Sequence, residues 1–150
     1  MSKINTKVTD SVDFFKGNKP SDLTAKFGSP LYVYSEEILR QRCRDVKNLV
    51  KYPKFSVNYS AKANSNLAFL EIVHEEGLNV DAMSPGEIFV ELKAGFKPEQ
   101  IFYISNNVTA EEMKFAIDHD VLISVDSVSQ LETYGKLNPG CLLYTSDAAD

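Results

Sequence analysis

The sequence predicts an α/β fold in which parallel strands are joined by helices, and two observations carry this prediction. First, short apolar runs begin about every 20 to 24 residues from residue 55 onward, which is the length of a βα unit with short loops. Second, each run is followed by a helix-start signal and by apolar residues at helical spacing. An open doubly wound sheet and a closed barrel both satisfy this spacing, so periodicity leaves the choice between them open. The strands are expected at residues 55–60, 78–82, 101–105 and 121–125.

Local signals indicate where the helices between these strands begin and end. Gly77 and Gly95 are expected to end two of them, because glycine readily adopts the left-handed conformation found there. Pro85 favours the first position of a helix. Three helix starts are predicted to be capping boxes, in which a Ser or Thr is followed three residues later by Glu or Gln. The pairs are Ser84 with Glu87, Thr109 with Glu112, and Ser127 with Gln130.

The segment before residue 55 has less regular signals. Residues 1–20 are polar and are expected to form a flexible lead-in. A short helix over 22–27, a short strand over 31–34 and a helix over 35–50 are predicted to follow. Cys43 lies on the apolar stripe of the last helix, and we interpret it as a small core residue.

The composition excludes several classes of function. The 150-residue chain is 43% hydrophobic and 25% charged, as ordinary globular proteins are, and its formal net charge is −5. No cluster of Lys and Arg marks a nucleic-acid surface, and no apolar run approaches the roughly 18 residues of a membrane span. The two cysteines are too few for a disulfide framework. We therefore expect a cytoplasmic protein that binds small molecules or other subunits and neither nucleic acid nor a membrane.

One lysine occupies a position suited to covalent chemistry. Lys62 follows the predicted strand at 55–60 and precedes the next amphipathic helix. Ligands and catalytic groups of barrels and open α/β sheets lie at this carboxyl end of the strands. A lysine that is partly desolvated there can offer a free amine and form a Schiff base. The position alone leaves open the alternative of a solvated lysine in a βα loop.

The residues around this lysine carry a resemblance to a known family. Residues 59–64 read Tyr-Ser-Ala-Lys-Ala-Asn. This resembles the cofactor-lysine motif of the barrel-fold pyridoxal phosphate (PLP) decarboxylases, which is a tyrosine, two small residues and then Lys-Ala-Asn. The resemblance covers about residues 21–140. Further segments are similar to the diaminopimelate decarboxylase family in the same order, at residues 27–34, 80–87, 94–101, 106–107 and 125–127.

The resemblance implies a fold and a cofactor. The fold is the first half, about four βα units, of a PLP-binding (β/α)8 TIM barrel of the alanine racemase/decarboxylase type, so that residues 21–140 form a partial barrel domain. In the family a β-domain follows the barrel, and the enzyme usually acts as a homodimer. Lys62 would be the catalytic residue and would hold PLP as a Schiff base. Asp81 matches an acidic position close to the cofactor, although a carboxylate satisfied at a strand end remains the alternative.

The activity that the resemblance implies is PLP-dependent decarboxylation of the amino acid meso-diaminopimelate to L-lysine. Ornithine, arginine and carboxynorspermidine decarboxylases are the alternatives within the family. A non-catalytic PLP-binding barrel protein and an α/β binding module without PLP are alternatives from other classes. Because the family's later cofactor-binding segments do not occur in the 150 residues, the activity is expected of the parent protein, and the fragment itself is expected to be inactive.

Several other polar residues have simpler interpretations. Ser84, Asn64 and Asn106 are expected to act as cap or turn residues at strand and helix ends. His74 and His119 have no acidic or nucleophilic partner at a useful spacing, so we expect surface or packing roles for both. We expect no metal site.

Residues 141–150 resemble the in-frame translation of a transposase adapter used in sequencing libraries, and we expect this segment to be an artefact. Sequencing the source gene tests this interpretation. The expected continuation after residue 140 is a strand that carries an arginine, as in the family. A native gene that encodes residues 141–150 would contradict it.

Overall fold

The computed structural model describes residues 14–140. It contains six helices and four strands in the described residues, and none of these helices is long and apolar enough to cross a membrane. The predicted lead-in at residues 1–20 and the segment 141–150 lie wholly or largely outside the described residues. In chain order the elements are α1 Pro20–Phe27, α2 Glu36–Lys47, β1 Asn58–Ser60, α3 Leu67–Glu75, β2 Asn79–Ala82, α4 Pro85–Lys93, β3 Ile101–Ile104, α5 Ala110–Asp118, β4 Leu122–Ser124 and α6 Val128–Leu137.

The four strands form one parallel sheet in the order β1-β2-β3-β4. Each strand is joined to its neighbour by a helix, which confirms the predicted α/β class and its parallel arrangement. Because all strands run in the same direction, their carboxyl ends lie along one edge of the sheet. The loops that follow the strands therefore share one rim.

The two faces of the sheet differ in burial. Val80, Ile101 and Tyr103 are at most 1% exposed. Helix α4 packs against β2 and β3, and helix α5 packs against β4. Side chains alternate between the faces of a strand, so the opposite face carries the residues between these positions. Leu122 on that face is 56% exposed. Within residues 14–140 the helices therefore cover one face of the sheet only, as in a segment of a barrel whose strands surround an interior.

The structure corrects the prediction at residues 31–34. This segment is not a strand, because a strand needs a neighbouring backbone ladder and none of the described strands pairs with it. The segment instead leads into α2, and the Tyr34 ring lies 6.0 Å from the ring of Phe69. The predicted strand at 55–60 is also shorter, and begins at Asn58.

The predicted helix signals are confirmed in most details. Gly77 and Gly95 have φ angles of +74° and +98°, which is the conformation that favours glycine after a helix. Thr109 and Glu112 form the full capping box. Ser84 and Ser127 also cap their helices. The Glu87 and Gln130 side chains, however, accept from the backbone N–H of the residue before the cap, Met83 or Asp126. A capping box requires the N–H of the cap residue itself.

An ion-pair cluster joins α2 to the end of α3. Arg40 binds the carboxylates of Glu36, Glu75 and Glu76, and Arg44 binds Glu76 at 2.7 and 2.8 Å. The two guanidinium groups, with Arg44 contributing most, lower the pKa of Glu76 to about 2. Several charges shared in one network fix geometry better than an isolated surface pair does. The cluster therefore holds α2 against the barrel segment.

Two polar groups are buried without a hydrogen-bond partner. Both carboxylate oxygens of Glu91, on α4, and the hydroxyl of Tyr103, on β3, have no partner in the part of the chain that the structure describes. Both residues have 0% exposure. Burial, with smaller contributions from the charges of Glu87 and Asp81, raises the pKa of Glu91 to about 8. Glu91 is therefore a neutral acid in the folded protein near pH 7.

This raised pKa predicts a pH-dependent stability. The unfolded chain releases the Glu91 proton above about pH 4.5, whereas the folded chain keeps it up to about pH 8. The stability that the raised pKa contributes is therefore complete below pH 4.5, and about 4–5 kcal/mol of unfolding free energy is lost by pH 8. Glu91→Gln, which cannot ionise, should flatten this decline in urea titrations at several pH values. The exposed control Glu71→Gln should keep it, and equal pH slopes for all three proteins would contradict the assignment.

Candidate active site

Lys62 lies in a single 3-10 turn, Ala61–Ala63, directly after β1. Ala61 is completely buried and anchors the turn in the core, whereas Lys62 is exposed. The Tyr59 hydroxyl donates to the backbone carbonyl of Asn64 at 3.3 Å, which connects the residues on either side of the turn. The turn is therefore held at both ends while its lysine projects from the rim.

The chain after the turn is ordered by two asparagines. The side-chain oxygen of Asn64 accepts from the backbone N–H of Asn66 at 3.0 Å. The side-chain oxygen of Asn66 in turn accepts from the N–H of Ala68 at 3.1 Å and caps α3. These bonds satisfy N–H groups that a helix start would otherwise leave free. Asn64 thus has the turn role that the sequence predicted, and Asn66 is the helix cap.

Aromatic packing supports the turn from the helix side. The Phe69 ring lies 5.4 Å from the Tyr59 ring and 6.0 Å from the Tyr34 ring. Burial raises the pKa of the Tyr59 phenol, so this hydroxyl stays protonated and can donate. A groove of about 180 Å³ lies beside these rings between α2 and α3, and neither Lys62 nor Asp81 lines it. The groove is therefore separate from the candidate site.

Asp81 lies on β2 in the same row of the sheet as Ser60 of β1. The Ser60 hydroxyl donates to the Asp81 carboxylate at 2.6 Å. Ser60 is two residues before Lys62, so one hydrogen bond joins the strand end that carries the lysine to the predicted acidic residue. Sequence reasoning missed Ser60, which was read only as one of the two small residues of the motif.

The rim of the next two strands is joined by a buried amide. The Gln130 side chain donates to the carbonyl of Ser105 and accepts from the N–H of Asp126 at 3.1 Å. The Ser105 hydroxyl also donates to the backbone carbonyl of Ser124. Ser105 is only 1% exposed. Gln130 was predicted only as a capping-box residue. Its bond to the strand end at Ser105 depends on the fold and had no local sequence signal.

The structure changes one expectation about Lys62. The strand-end position predicts a partly desolvated amine, but the Lys62 side chain is exposed, and it makes no hydrogen bond or ion pair within residues 14–140. The reason is its position at an edge, because β1 has a neighbouring strand on one side only. Both histidines have packing roles, as predicted. His74 contacts the Phe96 ring, and His119 contacts Phe115.

The parallel order and the strand-end lysine define a barrel-type α/β protein with a rim site. Comparison with known proteins then gives the family. Residues 36–145 match the model of the pyridoxal-dependent decarboxylase family, specifically its pyridoxal binding domain. The chain therefore belongs to the pyridoxal-dependent decarboxylases, and pyridoxal phosphate is the cofactor of that domain.

Individual relatives agree with this family. The chain is 44% identical over 120 residues to a diaminopimelate decarboxylase of Methanothermobacter thermautotrophicus, a match that covers 79% of this chain and 28% of the relative. It is 36% identical to a diaminopimelate decarboxylase of Bacillus subtilis, over 73% of this chain and 26% of the relative. The chain thus spans less than a third of the length of these relatives.

Solved structures show the same fold. The diaminopimelate decarboxylase of Helicobacter pylori, complexed with L-lysine, matches with a TM-score of 0.75 and 30% identity, covering 79% of this chain and 30% of that one. The lysine/ornithine decarboxylase of Vibrio vulnificus, complexed with putrescine, matches with a TM-score of 0.71 and 20% identity over 77% of this chain and 32% of that one. The second match shows the fold alone. Both matches support the description of the sheet and its helices as part of a barrel fold.

The residues present fit part of a pyridoxal phosphate site. Lys62 supplies a primary amine that no described side chain occupies, which is the group that an aldehyde needs for a Schiff base. Asp81 has a carboxylate on the neighbouring strand, tied to the lysine strand by Ser60. Within residues 14–140 no cluster of three or more His, Cys, Asp or Glu side chains is arranged to hold a metal ion. The Lys62 amine and the neighbouring Asp81 carboxylate suit an aldehyde cofactor.

A matched pair of tyrosines tests how the lysine turn is held. Tyr59→Phe removes the hydroxyl that bonds to Asn64 and should lower the unfolding free energy by about 0.5–1.5 kcal/mol. Tyr103→Phe removes a buried hydroxyl without a partner, so it should be neutral or stabilising. Urea unfolding of the two variants measures the difference. A larger loss in Tyr103→Phe than in Tyr59→Phe would contradict the hydrogen-bond assignment.

Proposed function

We propose that the parent protein decarboxylates meso-diaminopimelate to L-lysine with pyridoxal phosphate held on Lys62. The observation that carries this proposal is the free amine of Lys62 on the rim of a parallel sheet, in a chain that is 44% identical to a diaminopimelate decarboxylase. The carboxyl end of a strand, where this lysine lies, is also where barrel enzymes carry their catalytic residues. The proposal assigns residues 21–140 to the partial barrel domain that presents this lysine.

The residues of this chain have distinct roles in the proposed site. The Lys62 amine would hold the cofactor at its aldehyde group. Asp81 provides a negative charge on the adjacent strand and can accept a hydrogen bond from the bound molecule. The 3-10 turn and the Tyr59 hydroxyl hold the lysine backbone in place. When bound, the cofactor accepts the electron pair that remains on Cα when the carboxylate leaves as carbon dioxide.

Further proposals concern the setting of this reaction. By resemblance to the family, the active protein is proposed to be a cytoplasmic homodimer that acts on a free amino acid. Cys43, a free and buried thiol on α2, is consistent with a reducing compartment. The substrate's distal group would be selected by segments that follow residue 140 in the family.

Lys62 provides the direct test. A chain with the full length of its relatives is incubated with pyridoxal phosphate and reduced with borohydride, and peptide mapping should then place the pyridoxyl group on Lys62. Lys62→Ala should abolish this label, and Lys62→Arg should not restore it, because the guanidinium stays protonated. The exposed control Lys54→Ala should label normally. In a chain with the full length of its relatives, Lys62→Ala should lower decarboxylation by several orders of magnitude.

Labelling at Lys47, Lys54 or Lys93 instead of Lys62 would overturn the proposal. Near-normal turnover of Lys62→Ala in the longer chain would do the same. The longer chain should release carbon dioxide from meso-diaminopimelate in preference to ornithine or arginine. The reverse preference would keep the family and change the substrate, and cofactor binding without turnover of any amino acid would favour the non-catalytic barrel protein.

A further inference from the structure

Ser60 connects the two residues on which the candidate site depends. Its hydroxyl donates to the carboxylate of Asp81 at 2.6 Å, across the parallel pair of β1 and β2. Both side chains are half-buried. Ser60 is also the last residue of β1 and directly precedes the 3-10 turn that carries Lys62. A single side chain thus contacts the acidic residue and adjoins the lysine turn.

The length of this bond identifies it as a strong one. Hydroxyl-to-carboxylate bonds of about 2.5–2.7 Å are charge-assisted and are roughly twice as strong as neutral ones. Ser60 is the hydrogen-bond partner of Asp81 in the part of the chain that the structure describes. The bond uses one oxygen, Oδ1, and leaves the second oxygen available to a bound molecule. A hydrogen bond at one oxygen restricts the rotation of the carboxylate, whereas a carboxylate without a partner rotates more freely.

We propose that Ser60 is a positioning residue that orients Asp81 toward the molecule held by Lys62. This inference rests on the proposed function and deepens it, because it names the group that fixes the acidic side of the cofactor site. The oriented oxygen of Asp81 accepts a hydrogen bond from a cationic or N–H group of that molecule. Pre-organisation of this kind avoids the entropy cost of ordering the carboxylate on binding.

The competing explanation is a purely structural bond between two strands. Such a bond would affect stability and leave cofactor binding unchanged in the folded protein. Ser124 provides the control, because its hydroxyl also takes part in a hydrogen bond between neighbouring strands, where it accepts from the N–H of Ser105 at 3.3 Å. Loss of that bond weakens the β3–β4 pair without touching Asp81. The two serines therefore separate strand stability from positioning.

The experiment compares wild type, Ser60→Ala, Ser60→Thr and Ser124→Ala. The readouts are the dissociation constant for pyridoxal phosphate and the rate of Schiff-base formation on Lys62, measured by absorbance and borohydride trapping at a temperature where all four proteins are folded. Ser60→Ala should weaken binding about tenfold, since it removes a charge-assisted bond. Ser60→Thr keeps the hydroxyl and should lie within about twofold of wild type, and so should Ser124→Ala.

A second readout tests the bond without the cofactor. Exchange of the Ser60 hydroxyl proton for deuterium should shift the carboxyl-carbon NMR signal of Asp81 in wild type and Ser60→Thr, and the shift should be lost in Ser60→Ala. Binding by Ser60→Ala equal to wild type, or equal weakening in Ser60→Ala and Ser124→Ala, would overturn the positioning role alone. Failure of wild type to form any Schiff base on Lys62 would overturn the proposed function and this inference with it.

Discussion

The parallel pairing of the four strands is the constraint on which the site depends. Parallel strands end at one edge, so residues about twenty positions apart in the chain become neighbours on one rim. The register then decides which of them meet. Ser60 pairs with Asp81, and Lys62 follows two residues later. A shift of the register by one residue would turn Asp81 to the helix-covered face and separate it from Ser60.

The distribution of polar groups follows from the two faces of this sheet. The open face carries Ser60 and Asp81, whose groups bond to each other and remain accessible to a ligand. On the helix-covered side, Glu91 and Tyr103 are buried without hydrogen-bond partners in the part of the chain that the structure describes. Because Glu91 is buried, the free energy of unfolding falls as the pH rises toward its raised pKa. Glu91 therefore opposes folding, although the apolar residues packed around it stabilise the sheet. The groups of the proposed site and the buried polar groups without partners thus lie on opposite sides of the sheet.

The sequence predicted the features that local signals determine. Strand spacing, helix caps at Ser84 and Thr109, and the strand-end position of Lys62 depend on residues close together in the chain. The sequence did not predict features that depend on contacts with residues far away in the chain. The segment 31–34 has β-forming residues but pairs with none of the described strands. Gln130 has a cap pattern, but its amide also binds the carbonyl of Ser105, the residue after β3. The partner of the Ser60 hydroxyl could be found only from the register.

The first βα unit and the strand after it contain the whole described part of the candidate site. Lys62 alone would be an exposed lysine in a loop, as its solvent exposure indicates. Its turn is fixed by the buried Ala61 and by the Tyr59 hydroxyl, and its neighbourhood gains a negative charge through the Ser60–Asp81 bond. These contacts are all made within β1, β2 and the turn between β1 and α3. In the proposed function, this short stretch therefore positions the amine that attaches the aldehyde cofactor, while the choice of an amino acid requires contacts that this stretch does not make.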